Sequence, residues 1–306
     1  MHILTKNSDE LDLSLTLRAG QVFCWDFNSD TKQWTGVIGS TVFKLEQSHD
    51  FGGIRFEYSG EIDVDSAYAT LRDFFQLDVD IVSLLEKWGQ NETFRSWIGP
   101  DSKFRGIRIC RQDPFECLIS FIVSANNNIK RISQNLKSIR TRYGNIINDT
   151  FHAFPSAAQL RKASSEDLRN LGLGYRSEYI VKTVEMLQDP QIMSQLYSLR
   201  SESRPEIARE FLMQFQGVGR KVADCVSLYS LDFRQLAPVD THMFQIAQKI
   251  FPNPVKKDSR MHDIIQKLMI ERFGEAAGWA HCFLFAANLK DLQDKTPFEK
   301  RARFRE

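Results

Sequence analysis

The chain has 306 residues, 42% of them apolar, with 40 Lys and Arg against 39 Asp and Glu and a net charge of +1 at pH 7. This composition excludes a disordered chain and suffices for one large or two to three small cores, while the balanced charge means that affinity for a polyanion needs a local basic face. No apolar run approaches the roughly 18 residues of a membrane span, and the opening MHILTKNSDELD lacks a basic-then-apolar signal pattern.

Cys24, Cys110, Cys117, Cys225 and Cys282 are scattered without a CxxC pair, so we expect a reducing compartment, no disulfide framework and no zinc or iron–sulfur site. In chain order, residues 33–59 alternate and are rich in Val, Phe, Ile and Tyr. VFKLEQ and IRFEYSG, joined by the turn-like SHDFGG, predict paired antiparallel strands with Ile54, Phe56 and Tyr58 on one face. Helical periodicity begins near Val64, where Tyr68, Leu71 and Phe75 form a stripe. The segment 99–106, charged and Gly-containing, is the predicted boundary.

Beyond it the pattern is helical. PFECLISFIVS is apolar on nearly all sides, as a buried central helix is, and Ile129, Ile132, Leu136 and Ile139 mark an amphipathic helix whose other face is basic. Between them Asn126, Asn127 and Asn128 interrupt the helix with poor helix formers. Helices are predicted from Ala157 and from a Ser164 cap, then LGLGYRSEY breaks the pattern in a loop presenting Tyr175 and Arg176. Pro205 opens a helix carrying Ile207, Phe211 and Phe215. Further helices cover about 261–273 and begin again near Ala276. The tail DKTPFEKRARFRE reads as solvated and basic.

The segment 211–247 carries the chemistry. Gly217 and Gly219 flank Val218 in a hairpin read as too tight for a Cβ, so the next helix begins with unpaired backbone N–H groups that suit a phosphate. Lys221 lies in that helix's first turn, where a cation opposes the helix dipole, and shares a face with Cys225 and Tyr229. Asp240 precedes an apolar-periodic run and is placed to cap the next helix.

With the hairpin, the lysine and the aspartate in hand, the chain resembles the helix–hairpin–helix DNA glycosylase superfamily. Within it, DLSLTLRAGQVFCW, RQDPFECLISFIVSANNNIKRI, LGLGYRSEY, GVGRKVADC, PVDTHMFQIAQ and GWAHCFLF resemble, in order, the blocks of eukaryotic-type 8-oxoguanine DNA glycosylases. The resemblance implies an α+β fold: an N-terminal antiparallel sheet domain (1–104), a helical glycosylase region (105–290) and a basic tail (291–306). It implies a bifunctional glycosylase and lyase that flips the damaged base out of duplex DNA, with 8-oxoguanine opposite cytosine as its partner and no cofactor or metal. Lys221 becomes the nucleophile, its pKa expected to be lowered by the helix start and burial, and Asp240 stabilises the sugar cation. Gly20, Cys225, His281 and Phe285 form the lesion-base pocket. Asn126, Arg131, Tyr175 and Arg176 fill the gap and contact the opposite cytosine. Gly217, Val218, Gly219 and His242 hold phosphates.

His281 stands where the family usually carries a glutamine reading the flipped base, and Val22 and Cys24 replace a serine and an arginine. Two other readings are weighed beside this one: a glycosylase of the same superfamily for another damaged base, and a non-catalytic hairpin protein that binds DNA by phosphates alone. The expected state is a monomer, in the nucleus or, alternatively, the mitochondrion.

Overall fold

Strands β1 (His2–Thr5), β2 (Trp25–Asn28), β3 (Gln33–Ile38), β4 (Thr41–Ser48) and β5 (Gly53–Ser59) form one antiparallel sheet in the order β1-β5-β4-β3-β2. This computed structural model describes residues 1–5, 10–48, 52–92, 94–95, 102, 104–253, 255–289 and 292. Trp34 stands opposite Leu45 and Leu45 opposite Phe56, so the strand period of two sends all three to one buried face. Helix α2 (Val64–Phe74) covers that face with Ala67, Leu71 and Phe74, joined by Phe75. The strands β1 and β2 are absent from the sequence expectation. Each has four residues, too few for alternation to register, and each is recruited by a longer neighbour: His2 pairs with Phe56 and Trp25 with Gly36.

Two apolar clusters result, and they interlock. Leu15 of α1 (Leu13–Arg18), Phe23, and Ile81, Leu85 and Trp88 of α3 (Ile81–Gly89) pack with the helical region, whereas Cys110 packs under the sheet. The buried Arg108 ties the parts together by donating to the carbonyls of Gln76 at 2.8 Å and Val79 at 2.7 Å. The boundary expected in segment 99–106 lies partly outside the described residues, as do the SHDFGG turn, Pro254 and the basic tail.

The helical region is centred on α4 (Pro114–Ser124), whose apolar residues on every side are buried and whose N-terminus is capped by Asp113. It packs against α11 (Arg220–Ser230), the helix after the glycine hairpin. In α5 (Ile129–Tyr143), Ile132, Leu136 and Ile139 are buried, but Ile129 is 43% exposed and lies against Gly20 instead. Short α6 (Ala157–Leu160) and α7 (Ser165–Asn170) both start with capping boxes, from Ser156 and Ser164. The loop expected around LGLGYRSEY is confined to its glycines, and Arg176 already begins α8 (Arg176–Met186).

Helices α9 (Pro190–Ser198) and α10 (Pro205–Leu212) lead to the hairpin and α11; α12 (Thr241–Ile250), α13 (Met261–Phe273) and α14 (Ala277–Asn288) complete the region. Among the described residues, no helix is long and apolar enough to cross a membrane, and no group of three or more His, Cys, Asp or Glu side chains is placed to hold a metal ion.

Candidate active site

The hairpin is built as a turn between α10 and α11. Gly217 has φ +82°, and a Cβ there would stand 2.3 Å from the Tyr179 ring, so both backbone and space require glycine. Gly219 departs from the expectation of a turn too tight for a Cβ. Its φ is −90° and a Cβ would meet no atom within 4 Å, so nothing inside the protein requires glycine there. The Val218 amide donates to the Phe215 carbonyl at 3.1 Å and its side chain is buried, so this residue holds the turn together. Gly219 caps α11 without a side-chain bond, and among the described residues the amides of Gly219, Arg220 and Lys221 have no carbonyl partner. These N–H groups at a helix N-terminus are the ones left for an anion.

Lys221 projects from the first turn of α11, its Nζ 5.4 Å from the centre of the Phe121 ring. The same ring stacks on Tyr229 at 5.5 Å and meets Phe23 edge-on at 6.0 Å. One turn along α11, the buried Cys225 lies within electrostatic reach of the lysine. Asp240 accepts from the Met243 amide at 2.9 Å as the cap of α12, and its charge acts on Lys221, Cys225 and His281. Burial disfavours the ammonium of Lys221, but the Cys225 sulfur and the Asp240 carboxylate outweigh it and raise the pKa above its ordinary 10.5. The lowering expected from the sequence is thus reversed, first by Cys225 one turn along the same helix and then by the Asp240 carboxylate from another. Burial pushes the Cys225 thiol up to about 11, which leaves it uncharged near neutrality.

From α14, His281 stacks on Phe285 with ring centres 5.7 Å apart, and His242 of α12 meets Phe285 edge-on at 5.8 Å. His281 is 4% exposed and its pKa is lowered to about 4 by burial, so the ring is neutral at pH 7. Its Nδ1 is buried and has no hydrogen-bond partner among the described residues.

Gly20 has φ +75° and is anchored by its neighbour Gln21. The Gln21 amide donates to the carbonyls of Thr16 at 3.1 Å and Arg108 at 2.7 Å and accepts from Cys110 N at 2.9 Å. Ile129 leads from Gly20 to a second cluster. Asn126 there adopts φ +48° and is exposed. The buried Arg176 donates to the carbonyls of Ala125 at 2.6 Å and Asn126 at 2.7 Å, and the Tyr175 hydroxyl donates to Ala125 O at 3.2 Å. Arg176 also lies over the Tyr175 ring at 4.6 Å. Arg131 is exposed and bonds Gly172 O at 3.0 Å.

Lys221, Cys225, Asp240, His242, His281 and Phe285 therefore converge, and Asn126, Tyr175 and Arg176 form a second group, with Arg131 held at Gly172. Arg176 supports the Asn126 turn from beneath, a role the sequence does not announce. Sequence reasoning also misses Phe121, and it reads Gln21 only as part of the N-terminal block and not as the anchor of Gly20. Phe121 carries no signal in a helix apolar all round, and Gln21 is a buried polar side chain beside a glycine with φ > 0.

A glycine hairpin leading to a lysine-bearing helix, with an aspartate capping the next helix beside that lysine, defines the helix–hairpin–helix class of base excision DNA repair proteins. Residues 3–118 match the 8-oxoguanine DNA glycosylase N-terminal domain family, and residues 119–270 match the HhH-GPD superfamily of base excision DNA repair proteins. The chain belongs to the 8-oxoguanine DNA glycosylase family of N-glycosylase/DNA lyases. It is 37% identical over 289 residues to the N-glycosylase/DNA lyase OGG1 of Arabidopsis thaliana, covering 92% of this chain and 78% of that protein. Identity to the N-glycosylase/DNA lyase of Saccharomyces cerevisiae is 32% over 336 residues, covering 96% and 87%. Among solved structures, the Clostridium acetobutylicum 8-oxoguanine glycosylase/lyase in complex with double-stranded DNA containing cytosine opposite 8-oxoguanine superposes with a TM-score of 0.79. Sequence identity there is 25%, over 90% of this chain and 91% of that one.

Proposed function

We propose that the enzyme excises 8-oxoguanine opposite cytosine from duplex DNA through a Schiff base on Lys221. The observation that carries this reading is the meeting of an amine, a carboxylate and a stacked aromatic pair at one place, supplied by α11, α12 and α14. A stacked base is out of reach of any amine, so the nucleotide is extruded and its base enters between Cys225 and Phe285. Lys221 rests as an ammonium and must lose a proton before its nitrogen attacks the anomeric carbon. As the C–N bond to the sugar forms, the glycosidic bond breaks and the departing base takes up a proton. Asp240 stabilises the positive charge on the sugar and receives the lysine's proton in passing. Ring opening gives the Schiff base; loss of a C2′ proton to a base then expels the 3′ phosphate, forming the C2′–C3′ double bond and cutting the strand.

The identity of the base is supported by His281. Its neutral ring carries one N–H donor and one lone pair, and it stacks on Phe285, against which the flipped base is placed. The Watson–Crick edges differ at N1, an N–H donor in a guanine-type base and a lone pair in adenine, which is where such a ring can discriminate. Arg131, exposed and bonded to the Gly172 carbonyl, supplies donors for the acceptor edge of an unpaired cytosine.

The test is borohydride treatment with duplexes bearing single lesions. We expect a covalent adduct with 8-oxoguanine opposite cytosine, lost in Lys221→Gln, and none with 8-oxoadenine. An adduct that survives Lys221→Gln, or equal trapping of the adenine lesion, refutes the assignment.

A further inference from the structure

Lys221 and Asp240 lie on different helices, and nothing in the local sequence of either sets the distance between them. A buried polar chain runs from the lysine's helix to the loop that leads into Asp240. Asp224, three residues after Lys221 in α11, is fully buried, a costly place for a carboxylate. Arg209 of α10 donates to its Oδ1 from Nε at 2.8 Å, and Gln266 of α13 donates from Nε2 to its Oδ2 at 3.2 Å. The same Gln266 side chain accepts at Oε1 from the Ala237 amide at 3.1 Å. Ala237 opens the short buried stretch, Ala237 to Val239, that delivers Asp240. Gln266 therefore spans from the lysine's helix to the backbone of the aspartate's loop, with both ends of its amide engaged.

We propose that Gln266, braced by the Arg209–Asp224 pair, is a positioning residue that sets the relative placement of Lys221 and Asp240. This rests on the Schiff-base reading of Lys221. An amide suits the task because it donates at one end and accepts at the other, matching a carboxylate on α11 and an N–H on the loop. Apolar packing alone would bury this region without fixing that spacing, since dispersion contacts carry no direction, whereas the two hydrogen bonds do. The charged and titratable groups coupled to Asp224 are Arg209 from α10, Arg220 and Cys225 from its own helix and His262 from α13.

The experiment uses single-turnover excision and borohydride trapping on the lesion that the wild-type enzyme processes, beside equilibrium binding of the same duplex and thermal unfolding. A wrong substrate assignment then appears in the wild type, and a wrong positioning assignment only in the variants. Gln266→Leu keeps the volume and removes both bonds. We expect the single-turnover rate to fall on the order of 10- to 100-fold, with trapping falling in parallel and duplex affinity within about 3-fold of wild type. Gln266→Glu supplies the second arm. Protonated, the new carboxyl donates to Asp224 and accepts from Ala237 as the amide does; ionised, it repels Asp224. The rate should approach wild type near pH 5.5 and fall as pH rises to 8, relative to the wild-type profile. A wild-type rate in folded Gln266→Leu overturns the proposal. So does a Gln266→Glu pH profile parallel to wild type, the outcome for a residue that only supports the fold.

Discussion

Alanine at Gly217 and at Gly219 should have opposite consequences, although the two residues are separated by a single valine. At Gly217 the backbone is left-handed at φ +82°, which costs an L-residue roughly 1–2 kcal/mol. The added methyl also stands 2.3 Å from the Tyr179 ring, an overpacking worth about 1–3 kcal/mol. The sum is a loss of about 2–5 kcal/mol, or a fall in Tm of roughly 4–10 °C for a chain of this size. At Gly219 the backbone is ordinary and a Cβ meets nothing, so the folded state accepts alanine and the unfolded state loses freedom. Stability should stay level or rise by up to about 1 kcal/mol. The cost should appear on DNA, because the methyl occupies the space where a phosphate approaches the N–H groups of α11. Loss of one charge-assisted bond, about 1.5–3 kcal/mol, weakens binding roughly 10- to 150-fold. Thermal unfolding and lesion-duplex titrations, run on both variants, check this. Equal destabilisation of the two, or unchanged duplex affinity in Gly219→Ala, would refute the argument that one glycine serves the fold and the other the ligand.

The two arginines near Asn126 should also separate. Arg176→Ala strips partners from the carbonyls of Ala125 and Asn126 and should destabilise the protein by about 2–4 kcal/mol in denaturant titrations. Arg131→Ala, at an exposed position, should change stability by less than about 0.5 kcal/mol while reducing the preference for cytosine over adenine opposite the lesion. Acid sensitivity follows from the helix caps. Hydrogen bonds from Ser66, Ser83 and Ser164 hold Asp63, Asp80 and Asp167 below their ordinary 3.8. Lowered folded values mean stability that is present above 3.8 and lost as pH falls through them. Asparagine caps without titrating, so a triple Asp→Asn variant should lose less Tm than wild type between pH 5 and pH 3; an equal loss would place the acid sensitivity elsewhere.

Long periodic elements are legible in the chain itself. The paired strands of 33–59, the buried helix after Pro114, the Asp240 cap and the hairpin with its lysine each follow from local pattern, because capping, turn chemistry and side-chain period act over a few residues. Elements recruited by neighbours are not. β1, β2 and α3 are too short or too weakly patterned to declare themselves, and form because a partner strand or core face is already there. Ile129 continues the helical stripe in sequence and yet faces Gly20, since the stripe runs past the end of the core it serves.

The sequence by itself determined which groups the enzyme possesses: an amine at a helix start, a capping carboxylate, a glycine hairpin and an ordered set of blocks that mark the family. Their energetics belong to the tertiary structure. The helix start and burial of Lys221 point to a lowered pKa, yet Cys225 on the same helix and Asp240 from a separate one raise it, and the second of these neighbours cannot be read at its own position in the chain. The requirement for glycine at 217 but not at 219 was likewise decided by a tyrosine ring from α8. Local pattern fixes identity and direction of the chain, whereas distances between segments remote in sequence set the electrostatics, and only folding supplies those distances.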